Sequence, residues 1–285
     1  MKYRAGPDYL SFTLAHRVKA VPGEGDQVTA DTGGVDGLQG GLRVRAMSYE
    51  ELVAGHVLPV GKFRRLGYGE YQPIAITGSG FTFGEGTFLT CWHCVSRPLD
   101  PNEAYCAAVR SEGIYTQTYD RAFELTDLQR AANGADLAIA RVGFTVDPVL
   151  PLATTPAAWG EDVVSCGYPL PLNSVDPDGG QPKLETNASL LRGYVTRIRP
   201  DDRPGWRAIR AYELDMPAPP GLSGAPLFRP DPFEVVGVVY REHDVVVSEA
   251  DYPITFSLAH HLTTLREAQA GATDNLPLQA FLARG

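Results

Sequence analysis

From about His56 onward the apolar residues come in short runs separated by turn-forming residues. HVLPV, QPIAI, GSGFTF, TFLTCW, AYCAAV, ADLAIARV, VVSCGY, SLLRGYVTRI, RAIRAYELDM, EVVGVVY and VVVSEA alternate with Gly, Pro, Asn and Asp. A spacing of about ten residues between such runs is the signature of a β-barrel or sandwich. No regular helical segment intervenes, which argues against a doubly wound α/β sheet. The texture changes near the end. In SLAHHLTTLREAQA, Leu258, Leu262 and Leu265 share one helical face, which predicts a helix over 257–269 docked on the barrel. His260 and His261 fall within it and are expected at a solvated or rim position. Ahead of residue 56, residues 8–21 read as a strand and Pro22 to Gly41 as a flexible linker. Residues 48–55 read as a short helix, with Ser48 and Glu51 at capping-box spacing. Residues 1–55 are therefore expected to be an N-terminal extension. Residues 56–285 are expected to form one domain, with β-rich halves at 56–150 and 151–255.

Composition adds limits. The 285 residues are 44% hydrophobic and 21% charged, the mixture of a globular chain. Thirty glycines and 23 prolines suit many turns and short strands. A net charge of −9 lacks the basic face of a nucleic-acid binder, so no nucleic-acid partner is expected. No apolar stretch approaches the ~18 residues of a membrane helix, so no membrane partner is expected either. The N-terminus lacks the apolar region of a secretory signal. Four cysteines do not make a disulfide scaffold in a chain this long, and reduced thiols in a cytoplasm are the expectation.

Three segments carry candidate chemistry: Thr90-Cys91-Trp92-His93-Cys94, Ala135-Asp136-Leu137-Ala138, and Gly221-Leu222-Ser223-Gly224-Ala225. A serine hydroxyl is a poor nucleophile at neutral pH and needs a base such as imidazole within hydrogen-bond reach. The imidazole needs a carboxylate to fix its tautomer and stabilise its charged form. The developing oxyanion needs N–H donors aimed at it. Alone, Ser223 could be an ordinary turn residue and His93 a structural one. Asp136, beside Leu137 and Ile139, is expected to be partly buried and to require a partner. Cys91-x-x-Cys94 invites a zinc or redox reading, but Cys106 and Cys166 are far apart in sequence, and all four read better as small buried apolar residues.

Taken together and in this order, the segments resemble the chymotrypsin-like (trypsin-fold) serine peptidases, closest to the bacterial Htr-type and glutamyl-endopeptidase branches. GSGFTFGEGTFLTCWHCV resembles the first-barrel segment that ends at the catalytic histidine. ADLAIARV resembles the aspartate segment, and GYPL, Gly193-Tyr194-Val195 and GLSGAPL resemble second-barrel landmarks. The resemblance covers roughly residues 56–270. It implies an all-β fold of two six-stranded antiparallel β-barrels with a C-terminal helix. It implies His93 as general base, Asp136 as its orienting carboxylate and Ser223 as nucleophile, with oxyanion donors from Gly221 and Ser223. Pro217, Val239, Tyr240 and Arg241 fall at substrate-binding positions. There are departures from the family pattern. Leu222 replaces an aspartate that pairs with a freshly cut N-terminus in digestive members. Ala225 replaces a common glycine. Cys94 lacks its disulfide partner, expected near Gly80 and Phe81. Pro217 stands where trypsin-like specificity needs an acid, and Tyr240 where a small residue lines the pocket; Glu242 and Asp244 lie nearby.

An α/β-hydrolase using Ser223 with Asp244 or Asp251 and His260 fails locally. PAPPG before the serine is no strand, and the two prolines of APLFRP after it make no helix. The expectation is a cytoplasmic bacterial serine endopeptidase that works through an acyl-enzyme and needs no cofactor or metal. Its substrate is expected to be a narrow protein or peptide class, or its activity to depend on an activating protein partner. The competing expectation is a catalytically silent trypsin-fold module that binds a protein partner.

Overall fold

Strands form through most of the apolar runs after residue 56 and fold into two antiparallel systems; QPIAI and GSGFTF make one strand rather than two, EVVGVVY runs on into the start of VVVSEA, and residues 247–250 of that run lie outside the described residues. The structure, a computed structural model, describes residues 55–283 apart from 68, 85, 110–120, 147–148, 170–171, 176–181, 201–209 and 247–252. The strand expected at 8–21, the linker at 22–41 and the helix at 48–55 as far as residue 54 lie outside the described residues.

The first system contains β1 (Val57–Gly67), β2 (Glu70–Phe83), β3 (Thr87–Thr90), β4 (Glu103–Val109), β5 (Arg121–Glu124), β6 (Thr126–Arg130) and β7 (Ala138–Arg141). Their order across the sheet is β5-β4-β1-β2-β3-β7-β6. The two edge strands, β5 and β6, are separated along the chain by Leu125 alone. One bent stretch, 121–130, therefore pairs with β4 on one side and β7 on the other. Counted as one strand, it closes a six-stranded barrel and removes the free edges. Leu125 is buried at the bend, and its N–H donates to the Tyr105 carbonyl at 2.9 Å, which pins the kink.

The second system begins with β8 (Asp162–Gly167). After an outlying hairpin of β9 (Leu172–Val175) and β10 (Pro182–Glu185), it continues through β11 (Ser189–Pro200), β12 (Arg210–Leu214), β13 (Pro226–Pro230), β14 (Phe233–Val246) and β15 (Pro253–His261). Its closed barrel runs β11-β12-β15-β14-β13-β8. Both barrels follow from strands whose side chains alternate between two faces. In β4, Tyr105 and Ala107 enter the main core, while Ala104, Cys106 and Ala108 pack in a smaller cluster with Phe63 and Ile76. The main core crosses between the halves: Val57, Phe81 and Ile139 of the first share it with Val164, Val235 and Tyr240 of the second. Burying each large side chain there contributes roughly 1.5–3 kcal/mol.

The end of the chain departs from the helix expected over 257–269. Residues 257–261 belong to β15, because both of its neighbours, β12 and β14, pair with its backbone there. The helix is a short α2 (Leu262–Arg266), following a one-turn α1 (Trp92–Val95) earlier in the chain, and a further α3 (Leu278–Leu282) completes the fold. His260 and His261 are consequently buried rather than solvated. The His261 ring caps α2 by accepting from the Thr263 N–H at 3.2 Å, and burial together with Arg210 lowers its pKa to about 4. Among the described residues no helix is long and apolar enough to cross a membrane.

Candidate active site

The imidazole of His93 stands on α1, a single helical turn placed immediately after β3. Asp136 lies in the connection from β6 to β7, just before Ala138, where β3 and β7 are paired. Strand pairing therefore brings the two segments together. His93 Nδ1 meets Asp136 Oδ2 at 2.7 Å, and the His93 main-chain N–H donates to Asp136 Oδ1 at 3.0 Å. Trp92 N–H in turn donates to the Asp136 carbonyl at 3.2 Å. Both carboxylate oxygens thus accept from one residue, which sets the ring's orientation and places a proton on Nδ1. The aspartate side chain is only 10% exposed and the histidine side chain 47%, so the acid is sheltered and the base opens to solvent. Burial by itself pushes the His93 imidazole down, but the Asp136 bond and the Cys94 thiol outweigh it and hold the ring above the usual histidine range. Burial raises the Asp136 carboxyl, and its bonds to His93 more than reverse this, leaving it below the usual value.

Ser223 lies in the loop between β12 and β13, on the opposite barrel. The loop is shaped by its backbone. Leu222 N–H donates to Pro219 O at 3.0 Å across a turn whose third residue, Gly221, has φ +96°. A positive φ there after a proline is the geometry of a type II turn, which requires glycine at that position. Gly224 N–H donates to Val239 O and Ala225 N–H to Leu222 O. The N–H groups of Gly221 and Ser223 have no partner among the described residues. Gly224, at φ +89°, cannot be replaced by a larger residue: a Cβ there would come within 2.0 Å of Ser79 O.

The loop is joined to the first barrel at the turn that carries His93. Ser223 O accepts from Ser79 N–H at 2.8 Å and from the Cys94 thiol at 3.6 Å. The Cys91 thiol donates to Val239 O at 3.3 Å. The serine's carbonyl is thus bonded to the residue next to His93. Its hydroxyl is turned elsewhere, toward Tyr240 O at 3.4 Å, and makes no hydrogen bond to the imidazole. Tyr240 offers that carbonyl because β14 has a bulge between Val239 and Arg241.

The remaining predicted positions divide. Pro217 and Arg241 are exposed. Val239 is buried in the second-barrel core, and the Tyr240 ring is buried and stacked on His260 at 4.2 Å. Both side chains pack inside the protein, and both residues meet the Ser223 loop with their carbonyls: Val239 O accepts from Gly224 N–H and Tyr240 O from the Ser223 hydroxyl. The four cysteines are all free and buried, as expected. Burial raises the thiol of Cys166, whereas the Cys91 thiol and His93 draw the Cys94 thiol below the usual range. The residue facing Cys94 is Gly78, not Gly80 or Phe81: a Cβ on Gly78 would stand 2.4 Å from the Cys94 sulfur. Cys91 Sγ, a His93 ring nitrogen and an Asp136 oxygen lie within 4.8 Å of one another, a spacing a metal could use. Each of them is already engaged in a hydrogen bond within the protein. Sequence reasoning missed Ser79 and Gly78, and named Thr90 without assigning it a role. The GSG triplet was the available signal, but a serine between two glycines in a strand does not announce which distant carbonyls it meets.

Two antiparallel barrels with these residues at their junction define a chymotrypsin-like fold. The trypsin-like peptidase domain matches residues 78–238, more than half of the chain, and the protein belongs to that family. Among solved structures it is similar to the HtrA-type protease AlgW with a decapeptide, at 14% identity and a TM-score of 0.51. That alignment covers 81% of this chain and 66% of AlgW, so the chain spans just under two thirds of that protein's length. It is also similar to the Rv3671c protease from M. tuberculosis in its active form, at 20% identity and a TM-score of 0.45, over 76% of this chain and 80% of that one. No curated protein matches the chain in sequence.

Proposed function

We propose that the protein is a serine endopeptidase. Ser223 Oγ attacks a peptide carbonyl carbon as its hydroxyl proton passes to His93 Nε2. His93 gives that proton to the departing amine, and water then hydrolyses the acyl-enzyme by the same route. Asp136 fixes the imidazole tautomer and stabilises its charged form. Gly221 and Ser223 N–H groups receive the oxyanion. The observation that carries this reading is the 2.7 Å His93–Asp136 pair beside a loop in which the N–H groups of Ser223 and of Gly221, two residues before it, have no partner among the described residues. The family and the peptide-bound HtrA-type relative support a peptide or protein as substrate.

Catalysis requires the Ser223 hydroxyl to leave Tyr240 O for His93 Nε2. Catalytic hydrogen bonds often tighten only in the substrate complex, so the resting rotamer is compatible with activity. It also fits a regulated enzyme, switched on by a narrow substrate or a protein partner. An alkyl fluorophosphonate tests the reading. Labelling of the full chain that disappears in Ser223→Ala supports a peptidase. No labelling, with or without candidate peptides, favours a silent binding module of the same fold, which the turned-away hydroxyl would suit. Rapid cleavage of casein by the chain alone would overturn the regulated form of the proposal.

A further inference from the structure

Ser79 lies on β2 of the first barrel and is fully buried. It has no place among the three residues proposed for chemistry, yet each of its polar groups is engaged. Its hydroxyl donates to Gly221 O at 2.7 Å and accepts from Tyr168 N–H at 2.9 Å. Its main-chain N–H donates to Ser223 O at 2.8 Å, and its carbonyl accepts from Thr90 Oγ1 at 2.6 Å. One residue of the histidine-bearing barrel thus grips the nucleophile loop at two carbonyls, on either side of Leu222. Through Thr90, three positions ahead of His93, it is tied to the strand that leads into α1. Tyr168 completes the brace from the other side, since its hydroxyl donates to Val57 O of the first barrel at 3.1 Å.

The loop needs such a brace. Gly221 at positive φ has little steric restraint of its own. Among the described residues, Ser79 supplies the only first-barrel side-chain hydroxyl that hydrogen-bonds residues 221–224. We propose that Ser79 is a positioning residue: its hydroxyl sets where the Gly221–Ser223 loop sits against the His93 turn, and so the alignment of serine, imidazole and oxyanion donors. The proposal rests on the peptidase reading. It adds that the alignment between barrels depends on one buried hydroxyl outside the three residues proposed for chemistry.

The test is the rate of fluorophosphonate labelling of the full chain as a function of probe concentration. This separates the half-saturating concentration from the limiting rate. In Ser79→Ala the limiting rate is expected to fall about 10- to 100-fold, the scale of a displacement near 1 Å, with the half-saturating concentration changed less than about twofold. Ser79→Cys, which keeps the volume and a weaker donor, is expected to recover part of the rate. Wild-type labelling rates in a folded Ser79→Ala protein would overturn the proposal while leaving the peptidase reading intact. If Ser79→Ala does not fold, Ser79→Cys decides: a reduced limiting rate with a native thermal transition supports it, and an unchanged rate overturns it. Failure of the unsubstituted protein to label at Ser223 would instead remove the underlying reading, and the proposal with it.

Discussion

The two sides of the cleft are built by different means. On the first-barrel side, His93 and Asp136 are held by side-chain bonds, with both carboxylate oxygens accepting from the histidine. On the second-barrel side, the Ser223 loop has no side-chain pair of that kind. Its shape comes from turns, from glycines at positive φ, and from donors that reach across from the other barrel. The His93–Asp136 side is therefore assembled by side-chain chemistry within one barrel. The Ser223 side is assembled by backbone geometry and depends on its neighbour. Substitutions on the first side should change protonation, and those on the second should change alignment.

The largest effects should come where the two sides meet. Ser223→Ala and His93→Ala are each expected to lower turnover by roughly 10⁴-fold or more, Ser223→Ala with an unchanged thermal transition. Peptide hydrolysis at near-normal rates in either variant would break the assignment. Asp136→Asn is expected to cost up to about 10⁴-fold by favouring the wrong tautomer, and it carries a pH signature. The base must be neutral, so the labelling rate of the unsubstituted protein rises with pH through the raised His93 value, above the usual 6.5. Without the carboxylate, that midpoint moves down. A midpoint unmoved by Asp136→Asn would show that the acid does not tune the base. The same pair links pH to stability. The His93 contribution is full below its unfolded value and is lost as pH rises through the folded one. The Asp136 contribution is present above its unfolded value and is lost as pH falls through its depressed folded one. The difference in thermal midpoint between the protein and Asp136→Asn should therefore peak between those two limits.

On the second side, Gly221→Ala forces a side chain into φ +96° and should unmake the type II turn. A loss of about 10²- to 10³-fold in limiting rate is expected, comparable to losing one oxyanion donor, with little change in the midpoint of the pH profile. That contrast sharpens the comparison, because a shifted midpoint would mean the loop also governs protonation. The smallest effect belongs to Cys94→Ala. Its thiol bond to Ser223 O is long and weak, so only a change of about twofold in rate is expected. Its removal should also lower the His93 midpoint, since Cys94 helps raise that group.

Much of this was legible before folding. The β texture after residue 56 and the three segments in the order His, Asp, Ser could be read directly, because local alternation and local turn chemistry carry them. The end of the chain was misread. Leu258, Leu262 and Leu265 satisfy helical spacing, but residues 257–261 satisfy two strand neighbours better, and those neighbours are distant in sequence. The bend at Leu125 was equally invisible, since nothing in a buried leucine says that one strand will serve both edges of a sheet.

What the chain alone determined is the inventory: strand-forming runs, a histidine, an acid in apolar surroundings, and a serine in a loop that only glycines and prolines could shape. What only the tertiary structure decided is the arrangement. It turned the Ser223 hydroxyl to Tyr240, buried His260 and His261, and made Ser79 a link between the barrels. The physical reason is that hydrogen bonds to main-chain carbonyls carry no residue identity on the accepting side. A donor such as Ser79 can be recognised in the sequence, but its acceptor Gly221 O, 142 residues away, comes within reach only once both barrels have closed.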